Sequence, residues 1–408
     1  MRLGPVALRL AVLFILAAIL PPEASAVPVF ARKYGFNCTM CHSAIPRLND
    51  FGTRYRTNGY RLPGREDIEK TVMESPPPVA FRTSVAYTYD EYQHVSEEGA
   101  AKQSTLELAG LDILSAGLLG DKIGYLMVFV PPITAARGVA EQEASLEMAS
   151  IVFSRIAATS LSLRAGRFEP AYAAFSVKRH LTVTPYEVYE YSVPDSFSGG
   201  LTFSQTQTGL ELRGGGYGPV RFAAGLVAGS PTNMLKDPPQ DGYVRLEGVL
   251  GPGEGQTAGQ RFGLTAYIGK GRTEAPIASA EADAESFNRV GVDASLNARG
   301  FNLALQYLRG EDQKRLWKPD RQEKAIWSGG FAELSYTSAH RATYFARFDL
   351  VKQPSQIDRD ITRATIGGRY YFEDHLAAHL ECSRRTVAVL EGDDETEDFV
   401  TARLDVVF

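Results

Sequence analysis

From Val79 to the C-terminus the chain keeps one rhythm: blocks of about ten residues in which apolar and polar side chains alternate, punctuated by turn residues. Phe81, Val85, Tyr87 and Tyr89 interleave with Arg82, Ser84, Thr88 and Asp90. Ala364, Ile366, Tyr370 and Phe372 interleave with Arg363, Thr365, Arg369 and Tyr371, and Leu376, Ala378 and Leu380 with His379 and Glu381. A period of two is a strand with two unlike faces. In a soluble sandwich the apolar face would be the core. Here the polar face repeatedly carries opposite charges, Arg347 with Asp349 and Arg403 with Asp405. A wet interior and a lipid-facing exterior account for that pairing. The expected fold is mainly β: a transmembrane β-barrel of the outer-membrane kind with about sixteen antiparallel strands.

The strands are expected near 80–93, 104–117, 122–131, 143–155, 160–168, 200–213, 219–229, 241–250, 260–271, 286–298, 300–309, 326–338, 341–352, 361–372, 375–388 and 397–408. Tight connections, such as Gly120-Asp121, Arg299-Gly300 and Glu373-Asp374, alternate with long ones at 169–199, 230–240, 272–285, 310–325 and 389–396. Gly251 to Gly259 is long for a turn. Short periplasmic turns and long outer loops are the barrel pattern. An even strand count puts both termini on the periplasmic side. Leu404, Val406 and the terminal Phe408 share a face and resemble the C-terminal aromatic signal of barrel clients.

The chain opens with an export signal. Arg2 and Arg9 precede an apolar run from Leu10 to Leu20, and Ala24-Ser25-Ala26 is a small-residue cleavage site, so cleavage is expected between Ala26 and Val27. That run is shorter than the ~20 residues of a spanning helix, and no later stretch reaches that length. Net charge is −5 and no basic patch suggests nucleic acid. There are three cysteines, too few for a disulfide framework. Cys382 alternates in phase with Leu380 and reads as a small lipid-facing residue.

The other two form Cys38-Thr39-Met40-Cys41-His42. C-x-x-C-H is the attachment signal of a c-type haem: two thiols add to the two vinyl groups, and the histidine meets the iron from the proximal side. A bare C-x-x-C would read as a zinc or redox pair. The domains expected are therefore 1–26 (signal peptide), 27–78 (a small α-helical c-type cytochrome segment) and 79–408 (the barrel). In the middle segment Pro46 opens a helical pattern with Leu48, Phe51 and Tyr55 on one face against the haem edge, and Asn58-Gly59 stops it. Arg47, Arg54, Arg56 and Arg61 offer charge to the haem propionates. Thr71 to Pro78 is a stiff proline-rich linker. For the distal position Met73 is the downstream candidate; Met40 points the wrong way; His94 and His180 qualify if the haem sits within the barrel; five-coordinate iron is the remaining alternative.

Pro28, Phe30-Ala31-Arg32, Gly35, Cys38-x-x-Cys41-His42, Pro46, Leu48, Phe51-Gly52, Tyr55 and Asn58-Gly59-Tyr60 closely resemble the fused monohaem cytochrome–porins of the bacterial outer membrane, of the iron-oxidase type. The barrel resembles that family in length and pattern. Leu163 to Pro170 resembles the strand-to-loop passage of phosphate- and polyphosphate-type porins. The loop after it, with His180, Tyr186, Glu187, Tyr189, Glu190 and Tyr191, is expected to fold inward above the haem. The family resemblance implies electron transfer from extracellular Fe(II) through one covalent haem c to a periplasmic c-type cytochrome. It makes the chain a haem-dependent oxidoreductase with no catalytic residues beyond the haem. The acidic stretches Glu281 to Glu285 and Glu391 to Asp398 read as solvated loops that also attract cations. The same architecture can run outward as an electron exporter, or serve as a solute porin whose cytochrome segment is a structural plug. A soluble cytochrome fused to a β-sandwich is a further alternative.

Overall fold

The structure is a computed structural model, and it describes residues 34, 36, 38–62, 70–74, 78–93, 101–132, 145–193, 201–216, 218–229, 241–251, 259–271, 285–312, 324–338, 341–355, 357, 359–388 and 394–407. The export signal, His94, Phe408, residues 281–284 of the first acidic stretch and residues 391–393 of the second lie outside the described residues.

The N-terminal part is short. A turn of 3-10 helix (Cys38–Met40) leads into strand β1 (His42–Ala44), which pairs with β2 (Arg47–Leu48), and helix α1 (Asp50–Thr57) follows. The helix starts four residues later than Pro46 because Pro46 lies in the β1–β2 turn. The start is set instead by Asn49, whose side chain accepts from the Gly52 amide. Within the described residues 38–62 the α-helix expected of this segment is the eight residues of α1.

Sixteen strands then close a barrel. They are β3 (Val79–Gln93), β4 (Ala101–Gly120), β5 (Ile123–Val130), β6 (Ser145–Ile156), β7 (Leu161–Phe168), β8 (Gln207–Gly214), β9 (Val220–Val227) and β10 (Asp241–Leu250), then β11 (Gln260–Gly271), β12 (Glu285–Ala298), β13 (Phe301–Asp312), β14 (Ala325–Thr337), β15 (Ala342–Lys352), β16 (Ile361–Glu373), β17 (Leu376–Val387) and β18 (Glu395–Val407). Each pairs antiparallel with its chain neighbours, and β18 closes on β3 with Ala402 opposite Tyr87 and Leu404 opposite Val85. Closure leaves no strand edge unpaired, as a spanning sheet requires. Among the described residues no helix is long and apolar enough to cross a membrane.

The alternation sorts as an inverted barrel. On β10, Tyr243, Arg245, Glu247 and Val249 are buried, while Val244 and Leu246 are 56% and 50% exposed. On β15, Phe345, Arg347 and Asp349 point inward, and Tyr344 and Phe348 outward. Cys382 is exposed on the outer face. Strand β8 begins at Gln207 rather than near 200. The preceding residues leave the wall and pack inside, where the Phe203 ring stacks on Tyr172 at 4.2 Å.

Candidate functional site

The N-terminal segment sits inside the barrel, at the end that carries the short turns. Its backbone is held from several sides of the wall. Arg261 donates to the Leu48 carbonyl at 3.1 Å, Thr337 to Ser43 O at 3.2 Å, and Arg369 and Tyr371 to Ile45 O at 3.0 and 3.2 Å. Arg47 is buried: it donates to Asn302 Oδ1 at 2.5 Å and to Tyr186 Oη at 3.0 Å, and ion-pairs with Glu333. Arg61 reaches Gly120 O at 2.5 Å. Gly59 lies so close to β5 that a Cβ on Gly124 would fall 2.0 Å from its carbonyl oxygen.

Asn49 knits the helix to the C-x-x-C-H turn. Its amide nitrogen bonds Cys41 O at 2.9 Å, its Nδ2 donates to Met40 O at 3.0 Å, and its Oδ1 caps Gly52 at 2.9 Å. Sequence reading passed over Asn49, although an asparagine one residue before a helix is a capping signal. Cys38 and Cys41 are unbridged and half-buried, and burial pushes both thiols up to about 11. Cys38 Sγ lies 3.9 Å from Asp374 O, in the short β16–β17 turn.

His42 Nδ1 meets Pro46 O at 3.1 Å, so the hydrogen is on Nδ1 and Nε2 carries the lone pair. Burial lowers the imidazole to about 4, which keeps it neutral. A ring whose other nitrogen donates to a carbonyl is the usual arrangement of a metal-bound histidine. Among the described residues no group of three or more His, Cys, Asp or Glu side chains is placed to hold a metal ion.

His42, Pro46 and Leu48 line a cavity of about 780 Å³, between α1, the inward-folded loop and the wall from β3 to β10. That volume is in the range of about 300–1,000 Å³ typical of ligand and cofactor sites. Its lining mixes apolar groups, Leu114, Ala174 and Phe175 among them, with arginines and a lysine that outnumber the two carboxylates Glu169 and Glu247. A neutral axial histidine, apolar walls and cations for two propionates are what a tethered haem needs, so these residues fit that group.

The candidate haem neighbours divide. The stripe of Leu48, Phe51 and Tyr55 divides: Leu48, in β2, faces the cavity, but Phe51 and Tyr55 pack with Tyr60, Leu62 and Ala116 against Cys41 and Met40. Of the four arginines offered to propionates, Arg54 and Arg56 line the cavity, next to Asp50 at 3.1 Å and Glu169 at 3.5 Å, while Arg47 and Arg61 are engaged elsewhere. Met73 is 87% exposed, on a rim turn closed by the Thr71 amide and Glu74 (2.7 Å), and does not line the cavity.

The loop after β7 folds inward, as expected. Phe168, Tyr172, Phe175, Tyr186, Tyr189 and Phe203 form one buried cluster with inward wall residues such as Tyr243, Tyr267, Trp327 and Phe331. Within the loop lies the short helix α2 (Glu187–Glu190). Glu187 pairs with Arg363 at 2.7 Å and Arg385 at 3.2 Å, Tyr191 packs edge-on to Trp327, and Glu190 is exposed. Glu381 accepts from the Val183 and Thr184 amides at 2.6 and 2.8 Å. His180 Nε2 donates to Val177 O at 2.7 Å, its ring is edge-on to Tyr186, and burial lowers it to about 4. Leu181, beside it, packs on Ala44 of β1, so the loop and the N-terminal segment meet in mid-lumen.

No protein-family model and no curated protein sequence matches the chain. Solved structures do. The anion-selective porin of Comamonas acidovorans superposes with a TM-score of 0.57 at 12% identity, over 81% of this chain and 99% of that one. The outer membrane channel DcaP of Acinetobacter baumannii gives 0.58 at 8% identity, over 81% and 97%. OmpF of Salmonella typhi gives 0.54 at 10% identity, over 81% and 98%. The chain is a porin-like, sixteen-stranded β-barrel of the outer-membrane class.

Proposed function

We propose that this barrel is an electron-transfer protein of the bacterial outer membrane. One c-type haem on Cys38, Cys41 and His42 would take electrons from extracellular Fe(II) and hand them to a periplasmic c-type cytochrome. The observation that carries the reading is the position of C-x-x-C-H: inside the lumen, beside a cofactor-sized cavity, with His42 oriented by Pro46 O. An apolar band of about 25 Å separates the two aqueous phases, and a motif inside the barrel shortens that span. When bound, the haem supplies one-electron Fe(III)/Fe(II) chemistry. The chain's own residues do the rest. His42 offers a neutral nitrogen, Leu48 and Phe175 supply apolar wall to the cavity, and Arg47 fixes the segment to Glu333 and the inward loop.

The test uses detergent-purified protein, fully oxidised, with the haem bands followed after Fe(II) addition at controlled pH. Prompt reduction supports iron oxidation. Reduction by dithionite but not by Fe(II) turns the proposal towards electron export through the same haem, and absence of haem ends it.

A second reading, a solute channel with the N-terminal segment as structural plug, is favoured by the porin likeness and the cationic cavity. The two separate in planar bilayers. A solute channel conducts in its native form, and a haem-free Cys38→Ala variant leaves redox growth intact.

A further inference from the structure

We propose that Arg221, on the barrel wall, is the counter-charge for the propionate carboxylates of the tethered haem; this rests on the haem reading above. Arg221 lies on β9, is 8% exposed and lines the cavity. One Nη faces Asp50 Oδ1 at 2.7 Å, and Glu247 stands at 3.6 Å. Its Nε and second Nη have no hydrogen-bond partner. A buried guanidinium with idle donors is costly unless an anion satisfies it.

Asp50 and Glu247 meet only one Nη of Arg221, and among the described residues no neighbour serves the rest of the guanidinium. Asp50 is shared with Arg54 at 3.1 Å. Glu247 serves Arg245 at 3.1 Å, and Arg245 also takes Asp293. Arg261, from β11, places its two Nη groups on Thr53 Oγ1 and Leu48 O, with its Nε left without a partner. Four guanidiniums thus crowd three carboxylates in this corner, and what is missing is a carboxylate-bearing ligand. Helix α1 presents Arg54 to the same cavity that His42 and Arg221 line, which brings a haem held at residues 38–42 within reach of Arg221.

The experiment is a spectroelectrochemical titration of the full-length haem protein from about pH 5 to about pH 8. An ionised propionate favours Fe(III), so the midpoint potential falls as pH rises through its pKa. With Arg221 in place the propionate stays ionised throughout and the wild-type profile is flat. In Arg221→Gln the bend moves up by about one pH unit or more, into the window. Arg221→Lys keeps the charge and loses the idle donors, so it shows a smaller bend, and it carries the test if the glutamine variant does not assemble. Profiles superimposable on the wild type, with haem content unchanged, overturn the proposal. So does a wild-type potential that shifts with added inorganic phosphate, which would mean an exchangeable anion sits at Arg221. A wild type without haem is a different failure, of the reading beneath, and is recognised before any titration by the missing haem spectrum.

Discussion

At the scale of single residues the site depends on close approach more than on charge. A Cβ on Gly52 would stand 2.3 Å from Cys41 O and 2.9 Å from Leu48 Cδ2. The first obstacle is backbone, which cannot swing aside as a side chain can. Gly52→Ala is expected to cost about 1–3 kcal/mol of strain and to displace the C-x-x-C-H turn. Haem per folded barrel, measured by absorbance against protein, should drop. Asn49→Ala removes the cap of α1 as well as the Nδ2 bond to Met40 O. About 1 kcal/mol of helix stability goes with the cap, and haem content should fall again; unchanged loading would show that Asn49 does not hold the motif.

At the scale of elements, the inward loop is pinned rather than hinged. Glu381 takes two of its backbone amides, and Arg347 donates to Thr184 O and Pro185 O at 3.0 and 2.9 Å. Glu381→Ala leaves those amides without an acceptor, about 1–3 kcal/mol for each, and should lower the thermal midpoint and raise bilayer conductance. Acid should loosen the same loop. The pKa of His180 falls from the ordinary 6.5 to about 4 on folding, mainly through burial. The unpacked loop therefore binds the extra proton first, and stability is lost as pH drops from about 6.5 towards about 4. Conductance or tryptophan emission followed across that window should show the loosening, and His180→Gln should remove it.

At the scale of the whole molecule, the lumen is filled twice: by the aromatic cluster of the loop and by the N-terminal segment. Arg47, joined to both the loop and Glu333, links the two fillings. Breaking a buried pair from one side costs about 3–5 kcal/mol. Arg47→Ala is accordingly expected to free the segment from the loop and open a leak, visible as bilayer current that the wild type lacks. A wild type that conducts like an open porin would contradict the filled lumen.

The barrel was legible in the sequence because strand alternation is local. Inward and outward residues are two apart, and the strand boundaries follow the turn residues; Gly120-Asp121 and Arg299-Gly300 fall at turns of the finished barrel. The C-x-x-C-H motif stands out for the same reason, since its five residues are consecutive. What lay beyond the sequence is everything decided by contacts far apart in the chain. Leu48 and Phe51 part company because Leu48 lies in β2 beside the cavity, whereas Phe51, in α1, packs with Tyr55, Tyr60 and Ala116. The stretch from Leu201 to Thr206 alternates like a strand, yet leaves the wall because burial beside Tyr172 and its neighbours outweighs local propensity. Arg221 carries no motif at all. Only closure of the barrel around residues 38–62 brings it to Asp50 and to the cavity of His42, so tertiary structure alone makes it part of the site.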